Sequence, residues 1–431
     1  NAVVDYFMAA PQAATPDMYE IAEAGKTDVI GFRGVKNDEN AMGYRSIGVP
    51  GLVSGAALAL ERFGTLSLSQ ALQPAIRLAD EGVPATWYQT LLTAQSMELL
   101  ASHPATAAIH LKNGTVPFDV GLTGPPERIV QKDLAETLRR IADEGPDGFY
   151  RGDVARAIVR DLRAHGSVMS ETDLADYRAR IVEPRTATYR DRYQMIYAPS
   201  TGGTTLVETF NILEGFDFHG LDPRGAETLH LFIEAARVAY ADRWRHLADE
   251  SLVDVPWLTL ESKGYAARRR EAISRDRAVE KIEPYARGVF GRGDAEGGGG
   301  CTTHLSVIDR DRNMVAITQT INLGWGSGVV VPGTGVLCND AMVLFDPSPG
   351  RANSIAPGKR PLSSMTPMLV LRDGRPFLSM GAPGGRQIMG TVMRVLHNIL
   401  EFDMGVQEAC TTLSFDASAE RVIVDADLGD E

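Results

Sequence analysis

Gly297-Gly298-Gly299-Gly300-Cys301-Thr302-Thr303-His304 is the stretch on which the reading of this chain turns. The glycines let the backbone reach dihedrals that other residues resist, and they give way at once to residues that favour strand. A chain cut in front of Thr302 carries a free α-amine beside a hydroxyl, so one residue supplies both a nucleophile and a base. Residues 303–308 and 314–320 read as the two arms of a hairpin. The intervening Asp309-Arg310-Asp311-Arg312-Asn313 is centred on Asp311, so symmetric pairing sets Thr302 opposite Thr320. Opposed residues on one face of an antiparallel pair have Cβ atoms about 4.5–5.5 Å apart, near enough for the Thr320 hydroxyl to orient that of Thr302. Asn322, two residues further on, is expected on the same face, offering an amide to substrate. A surface hairpin in which the threonines serve only strand propensity accounts for the same residues.

Two more segments carry chemistry. Met380-Gly381-Ala382-Pro383-Gly384-Gly385 lies between a predicted strand at 376–380 and a predicted helix at 385–402. Amides at a helix N-terminus are unpaired, and two glycines there admit a carbonyl oxygen closely enough to form an oxyanion hole. An ordinary glycine-lined turn is the plainer alternative. Lys359-Arg360-Pro361-Leu362-Ser363-Ser364-Met365-Thr366-Pro367 is a stiff loop bracketed by prolines, with adjacent hydroxyls for polar ligand groups, although serine pairs also serve as simple turn formers.

Composition bounds the rest. With 431 residues, 44% of them apolar and 23% charged, the chain has ample material for a core. A formal charge of -13 argues against a nucleic-acid surface. No apolar run reaches the roughly 18–20 residues of a membrane span. Three cysteines (Cys301, Cys338 and Cys410) have no zinc-site spacing, and no His-Glu-x-x-His occurs, so neither a structural metal nor a disulfide framework is expected. No Gly-x-Ser-x-Gly elbow is present, because Gly324-Trp325-Gly326-Ser327-Gly328 is misspaced. The chain opens on an apolar stretch without a starting methionine, and its compartment is not readable.

A strand is expected at 2–8, then loops to Pro50. Helices are expected at 51–62, 68–81 (capped by Ser67 and Gln70, stopped by Gly82), from Asp133 and Glu136 to Gly145-Pro146, and at 154–164, 206–214 and 227–249. This makes the first section mostly helical. Residues 285–300 read as a linker or processing loop. Strands then gather at 336–339 and 368–372 as well as in the hairpin. The sum is an α+β sandwich.

Taken together, Thr302-Thr303-His304, Arg360-Pro361-Leu362-Ser363-Ser364-Met365 and Pro383-Gly384-Gly385 closely resemble the γ-glutamyltransferase family of N-terminal nucleophile hydrolases, which includes cephalosporin-acylase-like members. Upstream, Gly51-Leu52-Val53-Ser54-Gly55-Ala56, Gly145-Pro146-Asp147-Gly148-Phe149-Tyr150, Ser200-Thr201-Gly202-Gly203-Thr204-Thr205 and Ala239-Tyr240-Ala241-Asp242-Arg243 are similar to the family's large subunit. The resemblance implies a four-layer αββα sandwich made as one precursor and cut between Cys301 and Thr302. Residues 1–301 would form the large subunit and 302–431 the small one, intertwined in one domain, with family members extending beyond both ends. It implies Thr302 as nucleophile with its own α-amine as base, and Thr320 as its hydrogen-bond partner. Gly384 and Gly385 would be the oxyanion donors, and Asn322, Ser363 and Ser364 would hold the acyl group of a small amide. It implies no cofactor, and it leaves open the oligomeric state and whether water or an amine takes the acyl group.

Two departures stand out. Phe7 occupies the position where the family's arginine clamps the glutamyl carboxylate. Leu344, with Ala341 nearby, occupies that of the acidic residue holding the α-amino group. Losing both removes recognition of a charged amino-acid head, and apolar replacements reject the zwitterion. A glutaryl-type or other small amide acid is therefore expected as acyl group. The stretch from Phe345 to Lys359 is shorter than in members with a lid, which implies an open pocket. Three alternatives stand beside this reading: a genuine γ-glutamyl hydrolase or transpeptidase in which Arg33 or Arg386 replaces the clamps, a nucleophile at Cys301, and a non-catalytic scaffold.

Overall fold

The computed structural model describes residues 1–23, 32–279, 301–412, 414–418 and 422–424. The expected processing loop at 285–300 lies outside the described residues.

The helices begin and end where local chemistry directs. Leu68–Glu81 opens on a capping box: the Gln70 N–H donates to Ser67 Oγ at 3.1 Å and the Ser67 N–H to Gln70 Oε1 at 2.9 Å. It stops at Gly82, whose φ of 82° suits glycine. Leu52–Phe63, Lys132–Glu144, Gly152–Ala164, Gly203–Leu213 and Ala226–His246 fall within a few residues of expectation.

The first section is not as uniformly helical as the sequence reading has it. Arg185–Tyr189 and Tyr193–Tyr197 form an unforeseen hairpin, and Arg180–Val182 pairs with Val3–Asp5. The four-stranded antiparallel sheet runs Arg375–Met380, Met368–Arg372, Tyr193–Tyr197, Arg185–Tyr189. Met368 pairs with Tyr197 and Arg372 with Tyr193, so segments on either side of Thr302 share one sheet. A chain cut at 302 keeps its two parts joined by these backbone hydrogen bonds.

The main core brings that sheet against three helices. Met195 and Tyr197 from the sheet meet Leu206, Phe210 and Leu213, then Leu231, Phe232 and Tyr240, and Met389, Val392 and Leu396 of Ile388–Phe402. At about 1.5–3 kcal/mol for each large side chain taken from water, this cluster supplies most of the local drive to fold. Every residue of Gly203–Leu213 is buried. A second core, including Phe149, Tyr150, Ile158, Leu162 and Val329, serves the helical section.

Thr302–Ile308 and Met314–Thr320 form a two-stranded sheet of their own, packed beside the strand Arg375–Met380. Ser379 Oγ donates to the Val315 carbonyl at 2.7 Å, and an Arg312 guanidinium N–H to the Pro376 carbonyl at 2.6 Å. No helix among the described residues is long and apolar enough to cross a membrane.

Candidate active site

The hairpin register is the one its turn demands: Thr302 pairs with Thr320, and Ile308 with Met314. The two threonine hydroxyls lie 2.8 Å apart. Around Thr320 Oγ the contacts converge. The Asn322 N–H donates to it at 2.7 Å, and it donates to the Cys301 carbonyl at 3.3 Å. That carbonyl also accepts from the Ile321 N–H at 3.3 Å. When the Thr320 proton is turned to the Cys301 carbonyl, the Thr302 hydroxyl is the one free to donate between the two threonines. The oxygen that would carry charge if Thr302 attacked its own preceding peptide thus already has two donors near it.

Asn322 departs from the expected strand alternation. The strand ends at Thr320, Asn322 has a φ of 80°, and Cys301 bonds to both Ile321 and Asn322. Two residues facing one make a β-bulge, which re-aims the side chain. Asn322 is buried against Asp340, a residue the sequence reading passed over. Asp340 is 0% exposed and its Oδ1 accepts from the Leu323 N–H at 3.2 Å. Burial pushes its carboxyl up to about 8, against the downward pull of the Leu323 N–H and the Asn322 amide. It is therefore largely protonated at neutral pH.

Cys301 sits differently from an activated thiol. Its sulfur accepts from the Trp325 N–H at 3.4 Å, and burial raises the thiol's pKa. Reactive cysteines need the reverse shift.

Gly384 and Gly385 have φ values of 125° and 57°, both left-handed, and they lead through the short turn Gly385–Gln387 into Ile388–Phe402. Ser364 Oγ donates to the Gly385 carbonyl at 2.8 Å, tying the serine loop to the glycines. Ser363 is only 3% exposed. Its hydroxyl accepts from the Met365 N–H at 3.1 Å, and its carbonyl accepts from Arg243 at 2.6 Å. Arg243 is itself fully buried, which lowers its pKa to about 10. The serine loop is further held where the Arg360 N–H donates to Asp249 at 2.9 Å and Arg360 pairs with Asp5.

Phe7 and Leu344, separated by hundreds of residues, meet in one apolar cluster with Ala41, Val343 and Leu323. Leu323 follows Asn322 directly, so the patch borders the hairpin end. Arg386 is committed to Asp416, with two of its nitrogens 3.3 Å from one carboxylate oxygen.

This arrangement of sheet, hairpin and glycine turn belongs to the N-terminal nucleophile class of hydrolases, an α+β fold. More narrowly, the chain belongs to the γ-glutamyltranspeptidase family, which it matches across residues 1–431. It is 39% identical over 412 residues to an acylase ACY 1 proenzyme of Pseudomonas sp. strain SE83, covering 95% of this chain and 70% of that one. It is 37% identical over 421 residues to a glutathione hydrolase proenzyme of Pseudomonas sp. strain A14, covering 94% and 69%. A crystal structure of cephalosporin acylase from Bacillus halodurans superposes with a TM-score of 0.80 at 26% identity, over 99% of this chain and 75% of that one. The protein is accordingly an enzyme of a hydrolase and acyl-transfer family whose relatives are made as proenzymes.

Proposed function

We propose that the chain is the precursor of an N-terminal threonine amidohydrolase, cut between Cys301 and Thr302 into parts 1–301 and 302–431. The observation that carries this reading is the 2.8 Å contact between the Thr302 and Thr320 hydroxyls, with the Cys301 carbonyl 3.3 Å from both Thr320 Oγ and the Ile321 N–H. In maturation Thr302 Oγ attacks the Cys301 carbonyl carbon. The peptide nitrogen leaves as the Thr302 amine, and water cleaves the resulting ester. In turnover that amine takes the Thr302 hydroxyl proton as Oγ attacks a substrate amide, and it passes the proton to the departing amine. Gly384 and Gly385 N–H groups stabilise the oxyanion, while Thr320 holds the nucleophile. Water or an acceptor amine then takes the acyl group from Thr302.

The acyl group favoured by the site is one without an α-amino group. Phe7, Leu344 and Leu323 share one apolar cluster, and a zwitterionic head placed against it leaves its charges without a partner there, at a cost of several kcal/mol. A glutaryl-type acyl group lacks the ammonium and leaves a single carboxylate to be held, a role that falls to Asn322, Ser363 and Ser364. A relative named as an acylase supports acyl chemistry other than glutathione hydrolysis in this family.

Two measurements test the reading. Intact mass of the small fragment should give an N-terminus at 302; an N-terminus at 301 would move the nucleophile to Cys301. On the mature enzyme, kcat/KM for glutaryl anilide should exceed that for γ-glutamyl anilide. A strong preference for the latter would return the specificity to γ-glutamyl donors.

A further inference from the structure

His304 follows Thr302 by two positions, so both side chains lie on one face of the same strand. On that face the cross-strand partners continue in step: Thr302 with Thr320, then His304 with Thr318. The ring is held at both nitrogens. Nδ1 lies 2.8 Å from Thr318 Oγ and Nε2 2.9 Å from Ser306 Oγ. Thr318 is buried, and burial of the ring lowers its pKa, so the imidazole is neutral at physiological pH with one nitrogen donating and the other accepting.

Above this pinned ring lies Gly381. A Cβ placed there would fall 2.4 Å from both Cε1 and Nδ1 of His304. Gly381 is the residue at which the strand Arg375–Met380 hands over to the turn carrying Gly384 and Gly385. Its φ is not left-handed, so it is the ring rather than backbone strain that keeps a side chain out. From the other side, the same turn is tied by Ser364 to the Gly385 carbonyl.

We propose that His304 is a positioning residue whose ring, fixed between Thr318 and Ser306, is the seat of Gly381 and thereby sets the separation between the Thr302 hydroxyl and the Gly384–Gly385 amides. The inference rests on Thr302 as nucleophile and on those amides as oxyanion donors. An oxyanion hole acts on the transition state far more than on bound substrate, so displacement of this turn falls on kcat and spares KM.

The test is a double-mutant cycle on the matured, two-chain enzyme with the better anilide substrate. Gly381→Ala should lower kcat at least 20-fold with KM within about 3-fold, since the new methyl cannot share space with the ring. His304→Ala should lower kcat roughly 10-fold. The double variant should be no worse than Gly381→Ala alone, because the group it collides with is gone. Losses that multiply to about 200-fold, or a Gly381→Ala enzyme with unchanged kcat, would overturn the proposal. Thr318→Val keeps the shape of a buried side chain while removing the Nδ1 partner, and it supplies the readout should either first variant fail to mature. It should lower kcat 5- to 10-fold at constant KM, and an unchanged kcat again overturns the role. The small fragment's mass, read from the same samples, separates the two levels. A start other than 302 removes the functional reading itself, whereas a start at 302 with multiplicative losses removes only the role of His304.

Discussion

Replacing Asp340 with asparagine should free the fold of a pH-dependent penalty built in beside the candidate site. The Asp340 carboxyl is fully buried and its folded-state pKa is about 8, up from an ordinary 3.8. Between those two values the unfolded chain has lost the proton that the folded chain still holds. Stability from this group is therefore full below about pH 4 and declines as pH rises, until the folded-state value near 8 is passed. One proton of difference amounts to about 1.4 kcal/mol for each pH unit, or about 4 kcal/mol between pH 5 and pH 8. Asparagine has no such term. It keeps an oxygen for the Leu323 N–H, which Asp340 Oδ1 now meets at 3.2 Å, and the neighbouring Asn322 amide can turn its own oxygen toward the new NH2 group.

At an unfolding entropy of about 2.1 cal/mol/K per residue, a chain of this length gains roughly 4–5 °C for 4 kcal/mol. Thermal unfolding of parent and Asp340→Asn, measured at half-unit intervals from pH 5 to pH 8, should give curves that diverge steadily, with the variant higher at pH 8. All other carboxylates cancel in the difference. Parallel curves would show that Asp340 is ionised or solvated in the folded protein, and the account of its burial would be wrong.

Thr320→Val should leave the hairpin paired but remove the partner of the Thr302 hydroxyl, costing about 1–3 kcal/mol in kcat/KM, or about 5- to 150-fold; steady-state rates on matured enzyme measure it. Ser364→Ala frees the Gly385 carbonyl and should reduce kcat about 3- to 10-fold with the fold intact by circular dichroism. Thr302→Ala should run as a single uncut band on a denaturing gel, with no anilide turnover. Phe7→Arg combined with Leu344→Asp should shift the ratio of γ-glutamyl to glutaryl kcat/KM upward by at least 10-fold, and an unmoved ratio would place the acyl pocket elsewhere.

Much of this site was legible because its determinants are local. The hairpin register follows from turn symmetry about Asp311, and the Ser67–Gln70 box and Gly82 bound their helix without help from the rest of the molecule. The Arg185–Tyr189 and Tyr193–Tyr197 hairpin escaped notice for a physical reason. Its turn places Arg190 and Asp191 at φ of 51° and 53°, a conformation usually marked by glycine or asparagine but here adopted by two charged residues. Asn322 lies just past the strand end, where alternation no longer sets its face. Strand alternation holds only while pairing is one to one, and the bulge opposite Cys301 breaks it.

Asp340 and His304 mark where local reading stops. Nothing in Asn339-Asp340-Ala341 says that the acid is sealed from water, because the seal is made by distant segments. Likewise, Thr302-Thr303-His304 reads as a strand start whichever way its third residue is used. What gives His304 work is Gly381, 77 positions away by the sequence numbering, whose missing side chain leaves room for the ring. A glycine between a strand and a glycine-rich turn reads as one more flexible link. Only the 2.4 Å at which a Cβ on this glycine would fall from the ring shows that its smallness is steric. The same closeness makes the two positions interdependent: a larger residue at 381 is tolerable only with a smaller one at 304. Loss of the ring at 304 in turn leaves the turn without its seat, so the pair constrains itself through a distance that neither residue reveals alone.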